Sequence, residues 1–474
     1  MNAPREKFSS RLGFVLATAG SAVGIGNLVG FPVNAAKNGG GAFLLVYVMF
    51  VFFICLPVLM AELAMGRHTR NNPVGAYGQI SQQQTFWRLA GVLKIITPFM
   101  ISVFYMVITV WLLGYLAMSA SGQLDYLASP DSFDTYINSP MVFVAMLLVG
   151  AVIFVILNSG VQRGIERAAK ILMPSLFIML LVLVVFVLSL DNAIMGARFF
   201  LVPDISKLDA GVVNNALSQA FFSLSLGMGI LITYGSYLDK GDNIIKAGSM
   251  VAVADTSVAF IAGLMILPAV FYFNPQVNTA ELSDSSVSLI FVLLPNIFLA
   301  LQGTVGYVGA SGIATIFFLL VFFAAITSLV SIIEVPVAYL VDEKKLSRKR
   351  ALMLLAIIGG VLVVISALSF GAVKTFTDFM TYAGQSKSFF DVIVDIFYDT
   401  ILPLNGLMVC LFVSFRWRQH RLSDELKIGN PSYSGSWLEK YVNFSLCSFI
   451  PVILLLIFLN TVAQKFFAYS LFCV

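Results

Sequence analysis

An all-α integral membrane protein of about eleven spans, built from two inverted repeats of five helices with helices one and six unwound, is the fold the sequence predicts. Three observations carry that expectation. The 474-residue chain is 59% hydrophobic and only 11% charged, with a mean hydropathy of +0.94, whereas soluble domains carry about a quarter of their residues charged. Apolar segments long enough to cross a bilayer recur along its whole length. Two of them, five spans apart, are interrupted by glycine and small polar residues, the spacing of inverted halves that hold a binding site between discontinuous helices.

The first apolar segment is the one around which the others are arranged. Arg11–Pro32 reads RLGFVLATAGSAVGIGNLVGFP, uncharged from Leu12 to Phe31. Gly20, Gly24, Gly26 and Gly30 lie inside it, with Ser21 and Asn27 between them. Each glycine costs an exposed helix roughly 1 kcal/mol relative to alanine. Backbone that leaves the helical ladder at membrane depth is tolerated where it lines a cavity or binds something. The spacing also fits small-xxx-small helix packing. What tips the balance toward binding is the second interrupted segment, Gln219–Tyr237, QAFFSLSLGMGILITYGSY, broken by Ser223, Ser225, Gly227 and Gly229.

The remaining spans are expected near 42–65, 92–118, 141–158, 168–190, 244–273, 308–341, 351–370, 388–415 and 440–463, with the interrupted pair at 12–36 and 213–238. The repeats then cover about 11–190 and 213–415, the last helix standing outside them, all in a single membrane transport domain. Lys37, Arg198, Lys207, Lys374, Lys387 and Lys465 fall on one side, and the other basic residues, Arg67 and Lys94 among them, on the opposite side with the N-terminus. The positive-inside rule places the N-terminus in the cytoplasm of a cell-membrane protein. An odd number of spans places the C-terminus outside. The outer loops 119–139 and 274–307 are the longest, and ELSDSSVSLIFVLLP in the second is a lid candidate; 66–92 reads as an interfacial helix.

Composition also excludes functions. The net charge of +4 comes from loop residues with no basic run interleaved with aromatics, so nucleic acid is not an expected partner. Cys55, Cys410, Cys447 and Cys473 show no C-x-x-C spacing and read as small apolar residues. His68 and His420 read as exposed loop residues rather than metal ligands. The N-terminal MNAPREKFSSR carries no cleavable apolar core, so a removable signal peptide is not expected. Neither H-E-x-x-H nor G-x-S-x-G occurs, so an enzyme is not expected. A channel fits two broken helices and an occludable lid less well than a carrier does.

Where a helix breaks, the half that begins offers free N–H groups and the half that ends offers free C=O groups. The first suit a carboxylate and the second a hard cation. Ala324, Thr327 and Ser328 on span eight share one face at i, i+3 and i+4, offering oxygen to a cation, although such hydroxyls also back-bond to their own helix. Asp255, a carboxylate within the apolar run AVADTSVAF, marks an ion path or a site unless a basic residue pairs with it.

GSAVGIGNLVGFP, AFFSLSLGMGILITYGSY and AAITSLVSIIEVPVAYLVDE, recurring in this order from about Arg5 to the end of span ten, resemble the neurotransmitter:sodium symporter family, in particular its bacterial amino-acid transporters. The resemblance implies Na⁺-coupled uptake by alternating access. It implies a first sodium site of the Ala22 carbonyl, Asn27, Ser223 and Asp255, closed by the substrate carboxylate. A second would comprise the Gly20, Val23 and Ala324 carbonyls with Thr327 and Ser328. The substrate carboxylate falls to the amides around Gly24, Ile25 and Gly26 and to the Tyr105 hydroxyl. The ammonium falls to the Ala22, Phe222 and Ser225 carbonyls, and the side chain to Ile101, Phe222, Met228, Ser328 and Ile332.

Amine-carrying relatives have Asp where this chain has Gly24, and an apolar pocket disfavours charged side chains. The expected substrate is therefore a neutral branched or aromatic L-amino acid, with another small amino acid or amine, or a non-transporting sensor of the same fold, as alternatives. Many members have Asn at the position of Asp255, and chloride-dependent ones a Ser at that of Ala259. The expectation is that Asp255 itself supplies the negative charge, so that chloride is not required. The gates implied are Arg5 with Asp342, Ser236, Tyr237 and Glu334 inside, and Phe222 over Tyr105 with Gln219 outside. Asp395 matches an acidic gate residue whose usual arginine partner is Gly30 here, leaving it without an evident cation. Beyond substrate, Na⁺ and the lipid bilayer, no obligate protein partner is expected.

Overall fold

The computed structural model describes residues 6–274, 287, 289–469 and 471. Among these, nine helices are long and apolar enough to cross a membrane, and the bent pair Arg11–Ala22 and Gly26–Lys37 makes a tenth span. The eleventh is the interrupted pair Ala210–Ser223 and Ile230–Gly235. We number the spans one to eleven in chain order, and call the bundle face where the chain begins proximal and the opposite face distal.

Burial sorts the spans into centre and rim. The most apolar stretches of span three (Thr85–Ala120) and span eight (Gln302–Asp342) are 78% and 72% buried, while those of span four (Met141–Asn158), span nine (Arg348–Leu368) and span eleven (Trp437–Phe467) are 28%, 28% and 33% buried. Spans three and eight pack along one another. The rim spans turn Leu147, Ile357 and Val452 outward, where hydrocarbon solvates them. Cys55 and Cys410 are buried as small apolar residues, as expected.

Several boundaries differ from expectation. Span three begins at Thr85 and not near 92, so Lys94 lies well within it and not at its mouth, fully buried, and is no loop cation. Segment 66–92 is not one interfacial helix. It comprises the end of span two (Gly41–Thr69), a helix over Pro73–Ile80 capped by Asn72, and a turn in which Gln82 and Gln83 take left-handed φ values of 55° and 65°. In the second long loop, Leu289–Ala300 is helical and buries Phe291, whose carbonyl accepts from the Tyr115 hydroxyl at 3.1 Å. Most of the rest of the lid candidate lies outside the described residues. A distal hairpin pairs β1 (Met380–Tyr382) with β2 (Gln385–Lys387).

His68 and Arg67 are not loop residues either. Both lie in the last turn of span two and meet Glu425, on the short helix Gln419–Lys427. Arg67 Nε lies 2.6 Å from Glu425 Oε1 and His68 Nδ1 3.0 Å from Oε2. Burial pushes the Glu425 carboxyl up, but His68 and Arg67 outweigh it and hold it below the ordinary carboxylate range. A depressed carboxylate stabilises above its unfolded pKa, so the Glu425 contribution is fully present at neutral pH and is lost only as pH falls through the folded value.

Candidate functional site

Span one stops being helical for a local reason. Its first helix, capped by Ser10, ends at Ala22, and Val23 turns extended at φ −72°, ψ 102°. The chain resumes at Gly26 bent by 56°. The Gly24 amide, which would have donated to the Gly20 carbonyl in a continuous helix, instead donates to Asn27 Oδ1 at 3.1 Å. The Ile25 amide, due to the Ser21 carbonyl, donates to the Tyr105 hydroxyl at 3.0 Å. Two carbonyls are thereby freed. Ser225 Oγ donates to Ser21 O at 3.0 Å, and Ser328 Oγ approaches the Gly20, Ser21 and Val23 oxygens at 3.5, 3.4 and 3.3 Å.

Span six breaks opposite it. After Ser223 the backbone takes left-handed φ at Ser225 (54°), Gly227 (78°) and Gly229 (72°) before the helix restarts at Ile230. Ser225 pays the steric cost of that region, of order 1 kcal/mol. The two glycines cannot be replaced cheaply, because a Cβ on Gly227 would stand 2.7 Å from the Leu402 carbonyl and one on Gly229 2.9 Å from that of Lys94.

Three polar groupings converge on these breaks. In the first, Asn27 Nδ2 donates to Ser223 Oγ at 2.8 Å and to Asp255 Oδ1 at 2.7 Å, and Ser223 Oγ donates to the Asp255 carboxylate at 2.9 Å. The Tyr47 hydroxyl on span two, absent from the expected set, joins at 3.1 Å from Ser223 Oγ and 3.3 Å from Asp255 Oδ2. Asp255 is fully buried, and its partners are these neutral donors.

The second grouping sets span eight against the end of span one's first half. Ser328 reaches the Gly20 and Val23 oxygens as above. Thr327 Oγ1 donates to its own helix at Ala324 O (3.0 Å) and Phe323 O (3.1 Å), so back-bonding describes Thr327 but not Ser328. A Cβ on Gly20 would meet Thr327 Cβ at 3.3 Å, so no larger residue fits between the spans without displacement.

The third surrounds Gly24, Ile25 and Gly26. A Cβ on Gly24 would come within 2.5 Å of the Tyr105 hydroxyl and 2.8 Å of Ser328 Oγ; one on Gly26 would come within 2.7 Å of the Phe222 ring. Gln219 Nε2 donates to Gly26 O at 3.0 Å and its Oε1 accepts from Asn34 at 3.0 Å. Ala22, Ile101, Met228 and Ile332 are buried in the same apolar core, against which Phe222 packs.

The outer gate differs from expectation, and the inner one is described in part. Arg5 lies outside the described residues. Asp342 accepts from Asn72 Nδ2 at 3.2 Å. Glu334 accepts from the Tyr237 hydroxyl at 2.7 Å and forms an ion pair with Arg348, which also lies 3.7 Å from Glu6. Phe8 packs edge-on against Phe14, Tyr234 and Tyr237, at 5.5, 5.6 and 6.1 Å. On the distal side the ring packed on Phe222 is that of Tyr398, at 4.2 Å, rather than Tyr105, which is held at the span-one break. Beyond that pair lies a cavity of about 250 Å³. Asp395 does have cations: Lys465 at 2.8 Å and Lys387 at 3.9 Å.

One buried pair escaped the sequence reading altogether. Lys94 Nζ lies 2.7 Å from Glu62 Oε1, both side chains fully buried, and 3.4 Å from the Gly227 carbonyl at the span-six break. Glu62, in LPVLMAELAMG, carries the same signal that singled out Asp255, an intramembrane carboxylate.

Paired broken helices meeting at buried polar groups define a polytopic membrane protein built as a secondary carrier. Comparison with known proteins narrows the class. The model of the Sodium:neurotransmitter symporter family matches residues 5–138 and 134–471. A sodium-dependent transporter of Bacillus subtilis is 33% identical over 96% of this chain and 97% of its own, and one of Methanocaldococcus jannaschii is 31% identical over 90% and 86%. The crystal structure of MhsT in complex with L-phenylalanine is similar over 96% of this chain and 99% of that one, with 37% identity and a TM-score of 0.83. The chain belongs to the sodium:neurotransmitter symporter family. It is a sodium-dependent multi-pass transporter.

Proposed function

We propose that the protein takes up neutral hydrophobic L-amino acids, branched or aromatic, with two Na⁺ ions and by alternating access, its N-terminus cytoplasmic and its C-terminus outside. The carrying observation is the span-one break: amides of Gly24 and Ile25 beside the Tyr105 hydroxyl, with no side chain at Gly24 to stand in for a substrate carboxylate. A ligand at that position must bring its own anionic group. The MhsT complex with L-phenylalanine supports an aromatic amino acid. The loop-charge asymmetry, even without Lys94, supports the orientation, and the halves are assigned to residues about 11–190 and 213–415.

One ion is assigned to Asn27, Ser223, Asp255 and the Ala22 carbonyl, and the other to the Gly20, Val23 and Ala324 carbonyls with Thr327 and Ser328. The residue types suit a hard cation: each can offer an oxygen, one set includes a carboxylate, and the Gly20 carbonyl is released by the span-one break. Asn27, whose Nδ2 here faces Ser223 and Asp255 while its Oδ1 accepts from the Gly24 amide, has to turn its amide to present oxygen to the ion. Ile101, Phe222, Met228, Ser328 and Ile332 form the side-chain pocket. Met228 is unbranched and adapts to bulky groups.

The test is Na⁺-driven uptake in proteoliposomes with each of the twenty amino acids as competitor. Leu, Ile, Val, Phe and Trp should compete best; stronger competition by Glu, Lys or dopamine would overturn the assignment. Because Asp255 carries the charge, replacing chloride by gluconate should leave uptake unchanged, unlike the sodium- and chloride-dependent GABA transporter 2 of Rattus norvegicus, 24% identical over 87% of this chain. Gly24→Ala should weaken amino-acid binding by about 10- to 100-fold, since its methyl group overpacks Tyr105 and Ser328. Gly312→Ala, where nothing lies within 4 Å, is the matched control.

A further inference from the structure

We infer that Lys465 of span eleven is the latch of the distal gate, clamping Asp395 and Asp399 of span ten (Phe389–Trp417) and thereby holding Tyr398 over Phe222. This rests on the transport reading and its orientation, and adds a moving part to it. Lys465 Nζ lies 2.8 Å from Asp395 Oδ1 and 2.6 Å from Asp399 Oδ2, so one ammonium holds two carboxylates. Asp395 Oδ2 accepts from the Tyr382 hydroxyl of β1 at 2.8 Å. Lys387 of β2, at 3.9 Å, adds a second positive charge. Tyr382 also packs its ring on Phe466, next to the latch, at 5.2 Å. The hairpin, span ten and span eleven therefore meet at this cluster.

The cluster is mechanically in line with the site. Asp399 follows Tyr398, whose ring lies on Phe222 at 4.2 Å. Phe222 in turn covers Gly26 so closely that a Cβ there would overlap it. Lys465, Asp399, Tyr398, Phe222 and Gln219 line one cavity, so water reaching the latch has reached the outer surface of the aromatic lid. Opening a path past Phe222 requires Tyr398 to move, and Tyr398 is flanked by the carboxylate that Lys465 holds. Gly30 offers no side chain on span one to do this work, and span eleven, otherwise a rim helix, supplies the charge instead. The side chain of Lys465 is 39% exposed against 6% and 23% for its partners, so salt can screen the pairs. A merely structural ion pair of the same exposure would be screened as well, but its screening would open no path past Phe222.

Accessibility of a cysteine beneath the lid reads the gate without reference to the substrate. Ile101 is fully buried and one helical turn before Tyr105, on the same face. In purified protein carrying Ile101→Cys, with Na⁺ and no amino acid, Lys465→Gln should speed labelling by a water-soluble cationic thiol reagent about five- to tenfold. Lys465→Arg should stay within about twofold of the parent, because its fork still spans two carboxylates. Raising ionic strength from about 0.1 M to about 1 M at fixed Na⁺ should speed labelling of the parent but not of Lys465→Gln. Equal labelling of the parent and Lys465→Gln at equal melting temperatures, or the same salt response in both, would overturn the latch. Binding of labelled L-phenylalanine to the unmodified protein is measured alongside. Its absence would sink the substrate assignment while the labelling rates still decide the latch.

Discussion

Lys94→Met should be among the most damaging single substitutions in the chain, lowering the melting temperature steeply and abolishing uptake. It removes the one charge that, among the described residues, lies within ion-pair distance of Glu62 Oε1, while Glu62 stays fully buried and its Oε2 lacks a hydrogen-bond partner among the described residues. Breaking a buried pair from one side costs about 3–5 kcal/mol, because an uncompensated charge remains in a low-dielectric interior. The loss extends to transport, since Lys94 also reaches the Gly227 carbonyl, where span six has left its helical ladder. Glu62→Gln with Lys94→Met, which removes both charges together, should recover most of the stability. Fluorescence-detected size exclusion after a heating series measures both. A double variant as unstable as Lys94→Met would show that packing around the lysine stem, not the charge, is what matters.

What could be read from the sequence was whatever leaves a local signature. The span-one break announces itself through four glycines with Ser21 and Asn27 between them, and Asp255 through a charge in an apolar run. Glu62 carries the same signature, but Arg67 and His68 follow it closely, so its run resembles a span ending in a loop. Lys94 was hidden by hydropathy: the helix extends from Thr85, well before the residues become uniformly apolar.

Pairings distant in sequence leave no such trace. Nothing near Asp395 points to Lys465, and nothing near Glu334 points to Arg348 folding back from the start of span nine. The β1–β2 turn is similarly mute, since its two left-handed residues are Ala383 and Gly384, at 52° and 73°, instead of the Asn-Gly that usually marks such a turn. The part Tyr398 plays beside Phe222 is hidden for a related reason. Tyr105 and Tyr398 are both tyrosines within reach of the breaks, and only their contacts separate them: the Tyr105 hydroxyl takes the Ile25 amide, and the Tyr398 ring lies on Phe222.

Asp255→Asn should leave the fold standing and sharply weaken the Na⁺ dependence of uptake. The amide keeps the shape and one acceptor for Asn27 and Ser223, both within 3.0 Å of the carboxylate, so the packing around it persists. What disappears is the negative charge. Near a cation at about 4 Å and an effective dielectric of about 20, that charge is worth about 4 kcal/mol, or roughly a thousandfold in Na⁺ affinity before the lost cost of desolvating the carboxylate is returned. The net expectation is a rise of about 100-fold or more in the Na⁺ concentration for half-maximal uptake, with melting temperature nearly unchanged. Asp255→Ala removes the charge and the acceptors together, leaving Asn27, Ser223 and Tyr47 donors facing an empty volume, so it should lower the melting temperature as well. The contrast between the two variants separates ion binding from scaffolding. If Asp255→Asn retained parental Na⁺ dependence, the buried carboxylate would be a structural hub for Asn27, Ser223 and Tyr47, and the coupling ion would have to be held by the span-eight oxygens alone.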